Sequence, residues 1–395
     1  MGISEKVAGY LEKGSWIRKM FEEGARLKAQ LGEQSVYDFS LGNPPEEPPQ
    51  RLLEELRTLL DRPGIHRYMS NAGFQEAREA VARTVASESG LPVEANHVVM
   101  TVGAGGALNV ALKALLDPGE EVIIFAPFFV EYRFYVDNHG GQTVVVGTNE
   151  DFSLDLGALD KAITERTKAV ILNSPNNPTG VVYSEEQIRG LGELLREKGR
   201  ALGKDLYLLS DEPYRKLIYD GVSFPHVFKH VDNAIIATSH SKDLALAGER
   251  IGYLVASPNC ADLNRLMEAM VFANRTLGFV NAPAMMQLAV ARLQGVTIDV
   301  ESYRRRRDKL YDLLTGLGFQ MVKPQGAFYL FPRSPIANDV AFVQAAQRRH
   351  ILVAPGTGFG WPGHFRIAYS VPMEMIERSV GAWEALAEEF RSLAS

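Results

Sequence analysis

The sequence predicts an α/β protein whose larger domain holds a mostly parallel, doubly wound sheet. Three observations carry that prediction. Between about residues 97 and 256, short apolar runs recur at 98–102, 121–125, 143–146, 169–173, 206–210, 234–238 and 252–256. The runs are apolar nearly throughout, as parallel strands covered on both faces are, and do not alternate. Helical patterns separate them, and repeated strand–helix units build a sheet with helices on both sides.

Taken in order, the first 50 residues pass from a charged amphipathic stretch into Leu41-Gly42-Asn43-Pro44-Pro45, a loop by composition. After the first run, Gly103-Ala104-Gly105-Gly106 precedes a helix expected from about Ala107. The turn Asp117-Pro118-Gly119-Glu120 ends that helix before the next strand. Ser184-Glu185-Glu186-Gln187 reads as a capping box opening a helix that runs to about Lys198. From about Asn281 a long helical pattern contains Arg304-Arg305-Arg306-Arg307, followed by strand-like segments at 326–331 and 365–369. Against a negative net charge, the arginine run reads as a solvated helix face.

Composition narrows the function. The chain of 395 residues is long enough for two domains, each with its own core. Its 48 acidic and 42 basic residues give a net charge of −6, and no basic block stands out. Nucleic acid is therefore not an expected partner, because phosphate backbones are bound by clustered Lys and Arg. The longest apolar stretch, 122–130, contains Pro127 and is too short to span a bilayer. No apolar signal core follows the N-terminus, so the expected location is cytoplasmic. Cys260 is the single cysteine, which excludes an internal disulfide and a cysteine-based metal site. The eight histidines show no metal-ligand spacing, so no metal is expected.

Open parallel sheets bind ligands at the carboxyl ends of their strands. Asn177, Asp211, Lys242 and the glycine segment 103–106 each closely follow a predicted strand, so all converge on one edge. In chain order stand Asn176-Asn177-Pro178-Thr179-Gly180, Asp211-Glu212-Pro213-Tyr214, Ser239-His240-Ser241-Lys242 and Arg250. Taken alone, the first is a turn by composition. Together they supply a lysine for a Schiff base, a carboxylate for a pyridine nitrogen and an arginine for a phosphate. Pyridoxal 5'-phosphate (PLP) chemistry requires those groups. The set resembles the class I/II aminotransferases, the aspartate-aminotransferase-like group of PLP fold type I, over almost the whole chain.

The resemblance implies a large PLP-binding domain at 50–283, with 1–49 as an N-terminal arm and 284–395 completing a smaller domain. It implies that Lys242 carries the cofactor and moves the substrate proton, as base and then acid. Asp211 would pair with the ring nitrogen, while Tyr214 and Asn177 would hold the ring oxygen. Phe129, where relatives carry Trp or Tyr, would stack on the ring. Gly105, Gly106, Ser239 and Arg250 would hold the phosphate. Many relatives place a hydroxyl residue in the glycine segment, and this chain has none there. Tyr68 would reach the phosphate of a neighbouring subunit, making a homodimer with shared active sites. Arg366 would fork onto the substrate α-carboxylate beside Gly42 and Asn177. Arg275 lies about where aspartate-specific relatives place an arginine for a second carboxylate. The activity expected is transamination between an L-amino acid, aspartate or another dicarboxylic donor foremost, and a 2-oxo acid such as 2-oxoglutarate. The cycle would be ping-pong through pyridoxamine phosphate. Alternatives are a C–S β-lyase on the same fold and an aromatic or broad-range aminotransferase.

Overall fold

The computed structural model describes residues 2–12 and 16–391. Residues 1, 13–15 and 392–395, part of the two chain ends expected to build the smaller domain, lie outside the described residues. The strands are β1 (Tyr37–Asp38), β2 (Val98–Thr101), β3 (Glu121–Ala126), β4 (Gln142–Gly147), β5 (Thr167–Asn173) and β6 (Tyr207–Asp211). They continue as β7 (Ala234–Ser239), β8 (Gly252–Ala256), β9 (Tyr329–Leu330), β10 (Ile351–Leu352), β11 (Ala354–Pro355) and β12 (Phe365–Ala368). Among the described residues, no helix is long and apolar enough to cross a membrane.

The apolar runs become β2 to β8, joined in the order β2-β8-β7-β6-β5-β3-β4. Neighbours from β4 through β7 pair in parallel. β8 departs from the expected direction and runs antiparallel to both β7 and β2. The chain leaves β7 through turns with no crossover helix, so the next strand can only run back. Its apolar composition reports burial on both faces and says nothing of direction.

Another correction concerns the glycine segment. The helix Gly103–Leu115 starts at Gly103, so the glycines form its first turn and not a loop before Ala107. The helix is apolar around most of its circumference because it lies between the sheet and the helix Leu263–Thr276. The capping box is present: Gln187 N–H donates to Ser184 Oγ (3.3 Å) and Ser184 N–H donates to Gln187 Oε1 (3.0 Å). That helix runs Glu185–Leu202 and ends on Gly203 in the left-handed region, past the expected Lys198.

A separate core gathers Phe39 with side chains from 298–390, including the fully buried Trp383 and Phe342. It lies over an antiparallel sheet, β11-β12-β9, and β1 pairs in parallel with β10. The strand expected at 326–331 shortens to β9, because Ala327 adopts φ 56° and breaks the extended run.

The arginine run is not a solvated face. It lies on the helix Val300–Gly316, where four consecutive residues circle a full turn and one must face the protein. Arg307 is fully buried, forking onto Asp220 (2.7 and 3.0 Å) and donating to the Pro324 carbonyl (3.0 Å). Arg306 is mostly buried against Glu46 (2.5 Å), whereas Arg305 remains exposed.

Candidate active site

A cavity of about 300 Å³ lies where β5, β6 and β7 end, closed on one side by Leu41, Gly42, Tyr329 and Arg366 from the smaller core. Gly105, Phe129, Asn177, Asp211, Tyr214, Ser239, Lys242 and Arg250 all line it. Strand ends supply three of these directly: Asp211 closes β6, Ser239 closes β7 and Lys242 follows three residues later. A carboxyl strand edge is where a doubly wound sheet leaves backbone and side chains free for a ligand.

Lys242 Nζ donates to the Gly42 carbonyl (2.6 Å) and stands 5.3 Å from the centre of the Phe328 ring. Burial pulls its ammonium down to about 8, and the charges of Arg366 and Arg250 add to that shift. A lysine so placed is a nucleophile close to neutral pH.

Asp211 is buried, and burial pushes its carboxyl up to about 7; the Tyr132 hydrogen bond opposes that and the Glu212 charge adds to it. The Tyr132 hydroxyl donates to Asp211 Oδ2 (2.5 Å), and Oδ1 is buried with no partner among the described residues. A buried carboxylate oxygen without a donor is costly, and a cation facing it removes that cost.

Asn177 is fixed by its own N–H, which donates to Asn173 Oδ1 (2.7 Å). Its side-chain oxygen accepts from Arg366 Nη1 (3.0 Å), while Arg366 Nη2 donates to the Ser40 carbonyl (2.6 Å). The guanidinium is sandwiched by Tyr329 (4.7 Å) and Phe359 (4.8 Å). Arg366 is buried, its Nε has no partner, and among the described residues no carboxylate pairs with it. Tyr214 shares a hydrogen bond with the Tyr329 hydroxyl (2.9 Å), and burial holds its phenol well above the usual range. Phe129 meets Tyr132 edge to face at 5.5 Å.

Not every expected residue reaches the cavity. Gly106 packs beneath Val102 and does not line it. In a helix beginning at Gly103, the N–H of Gly106 falls within the helix's own ladder; those of Gly103, Ala104 and Gly105 are left free. Tyr68 is 94 % exposed and Arg275 is exposed, its guanidinium over the Phe272 ring at 5.3 Å, so neither touches the cavity of its own chain. Sequence reasoning missed Ala104, Tyr132, Tyr135, Ser241 and Tyr329. The helix start could have revealed Ala104, but no spacing signals a tyrosine that meets its partner 79 or 115 residues away.

The cavity fits PLP. Its orphaned carboxylate oxygen suits the ring nitrogen, its lysine's ammonium is pulled down to about 8, and free helix N–H groups face the same space as Arg250. Gly103 must be glycine here: φ is +76°, and a Cβ would stand 2.8 Å from the Arg250 guanidinium.

Comparison with known proteins agrees. The family described as "Aminotransferase class I and II" matches residues 34–382. A relative from Thermus aquaticus named "Probable aspartate/prephenate aminotransferase" is 36 % identical, covering 87 % of this chain and 89 % of its own. One from Thermococcus litoralis, "Aromatic-amino-acid aminotransferase 2", is 31 % identical over 98 % of this chain and 99 % of its own. The crystal structure of an amino transferase from Eubacterium rectale superposes with a TM-score of 0.95 at 38 % identity, covering 99 % of both chains. The lyase alternative is not favoured by these relatives. This chain belongs to the class I and II aminotransferases, PLP-dependent enzymes of fold type I that exchange an amino group between amino acids and 2-oxo acids.

Proposed function

We propose that the enzyme prefers a dicarboxylic amino donor, aspartate foremost, with 2-oxoglutarate as an acceptor. The observation carrying substrate recognition is Arg366: a buried guanidinium with, among the described residues, an unpartnered Nε and no carboxylate beside it. Only a planar fork offers two-point contact to an α-carboxylate, and a buried one held by neutral acceptors alone gains most from it. Gly42 and Asn177 frame the same spot.

When bound, the cofactor supplies an electron sink for the charge left at the substrate Cα. In our reading, Lys242 would hold it covalently, and its amine, once free, would take the substrate Cα proton as base and give it back as acid. Asp211 keeps the ring nitrogen protonated, and Tyr132 keeps Asp211 ionised and aimed. Tyr214 and Asn177 hold the ring oxygen, and Phe129 covers the ring face. Ser239, Arg250 and the first turn of the glycine helix, with Ala104 and Gly105 in place of Gly106, hold the phosphate. We assign the large domain to 50–283 and the smaller one to 1–49 with 284–395.

The aspartate preference draws on the name of the Thermus aquaticus relative and on Arg275. Asn274 Nδ2 donates to the Asn71 carbonyl (2.9 Å) and Asn281 Nδ2 to the Ser70 carbonyl (2.6 Å), so one surface carries Tyr68 and Arg275 together. With Phe272 58 % exposed on the helix that bears Arg275, that surface supports a homodimer in which both residues complete the partner's site. Arg275→Ala is expected to lower kcat/KM for aspartate by roughly 2–4 kcal/mol, the scale for a buried charge pair, and barely to change alanine. A donor panel against 2-oxoglutarate, read by glutamate formation, tests this. Equal losses on both donors, or a panel led by aromatic donors, would reject the aspartate reading.

The shared site has its own test. Two inactive variants, Tyr68→Ala and Lys242→Ala, refolded together should regain part of the activity, because one site of each mixed dimer keeps both residues. Mixed dimers that form yet stay inactive would show that Tyr68 acts within its own subunit or not at all.

A further inference from the structure

We propose that the Tyr135 hydroxyl is a phosphate-holding donor of the cofactor site, standing in for the hydroxyl side chain that the glycine turn lacks. The proposal rests on the cofactor reading above. Gly103-Ala104-Gly105-Gly106 contains no Ser or Thr. Gly103 is required by its backbone and by Arg250, but Gly105 is not in the left-handed region, so its backbone would accept any L-residue. What the missing side chain leaves room for is Tyr135: a Cβ at Gly105 would stand 2.9 Å from the Tyr135 hydroxyl. That is closer than real Cβ atoms approach an oxygen, so Gly105 and Tyr135 fit each other as a pair.

Tyr135 lies on the short helix Tyr132–Asn138, one turn after Tyr132, and residues three apart share a helix face. Both therefore point towards the sheet edge. Tyr132 is committed to Asp211 and Tyr214 to Tyr329, whereas the Tyr135 hydroxyl has no hydrogen-bond partner among the described residues. Tyr135 lines the cavity together with Gly105, Leu108 and Arg250. Free helix N–H groups, a guanidinium and an unengaged hydroxyl thus share one corner, a donor set that suits a phosphate. Burial, with Glu131 and Asp211 adding and Arg250 opposing, holds the phenol above its ordinary range, so it stays a protonated donor. The two helices are also tied together: Asn109 Nδ2 donates to the Gly105 carbonyl (2.8 Å), and Asn109 Oδ1 lies 3.1 Å from His139 Nε2. The turn and the hydroxyl are thereby held in register.

The test measures dissociation constants of PLP and of pyridoxal, which lacks the phosphate, for the apoprotein by absorbance titration. Tyr135→Phe should weaken PLP about tenfold or more, the scale of one hydrogen bond to a charged oxygen, and leave pyridoxal unchanged. Gly105→Ala, which displaces the hydroxyl without removing it, should show the same phosphate-specific loss and serves if the first variant folds poorly. Equal weakening of both ligands would assign Tyr135 to packing and overturn the proposal, as would no weakening of PLP. An unaltered protein that failed to bind PLP would instead overturn the cofactor reading itself.

Discussion

Lys242→Ala should still bind PLP but lose turnover by about four orders of magnitude or more, since one substitution removes both covalent and acid–base catalysis. Arg250, Ser239 and the free N–H groups of the glycine helix remain in the variant, so the phosphate keeps its seat. What goes is the amine that donates to the Gly42 carbonyl and feels the charges of Arg366 and Arg250. Those two cations and burial hold the ammonium near 8, which fixes the sign of a pH dependence. The amine attacks only when deprotonated, so covalent capture of PLP by the apoprotein should speed up as pH rises through about 8 and level off above it. A rate that fell over that range would contradict Lys242 as the nucleophile. Borohydride reduction of the loaded protein followed by peptide mapping locates the attachment directly; a label on any other lysine would sink the assignment.

The sheet and the chemistry it carries were legible because each depends on local pattern. A strand buried on both faces must be apolar throughout, and the edge strand β4, although partly exposed, is apolar too, so every run from 98–102 to 252–256 could be found by composition alone. Asp211 closes β6 and Lys242 comes three residues after β7, and the sheet's geometry does the rest of the convergence. What was not legible depends on contacts between distant segments. Glycines at 103–106 read as a loop because glycine disfavours helix, yet packing between sheet and helix, with Arg250 filling the space over Gly103, draws them into a first turn. Arg307 reads as solvated because arginine usually is, and Asp220, Asp308 and the Pro324 carbonyl together make its burial tolerable. Tyr132, Tyr135 and Tyr329 carry no motif of their own. Each matters only because a chain elsewhere leaves an atom that needs an O–H or a space that accepts one.

Asp211→Ala should lower kcat by about a hundredfold or more, with a smaller loss in cofactor occupancy, because the proposed role is electronic as well as positional. The carboxylate is divided between two tasks. Oδ2 is held by Tyr132, which orients the group and opposes the pull of burial. Oδ1 has no partner among the described residues and is the oxygen that can face a protonated ring nitrogen. Facing that cation the Asp211 carboxylate would be paired and stay charged, and its role would be to keep the proton on the ring nitrogen. Alanine removes both tasks, whereas Asp211→Glu keeps the charge and shifts it by about one methylene, enough to matter at a preorganised site. Tyr132→Phe separates them further: the charge stays, the donor goes, and the Asp211 carboxyl should titrate at higher pH, because a hydrogen bond to the charged form is lost. The acid limb of kcat/KM should therefore move towards neutral pH in Tyr132→Phe and disappear in Asp211→Ala. Near-normal kinetics in Asp211→Ala would mean that another residue holds the ring nitrogen, and an unmoved limb in Tyr132→Phe would mean that the tyrosine only packs.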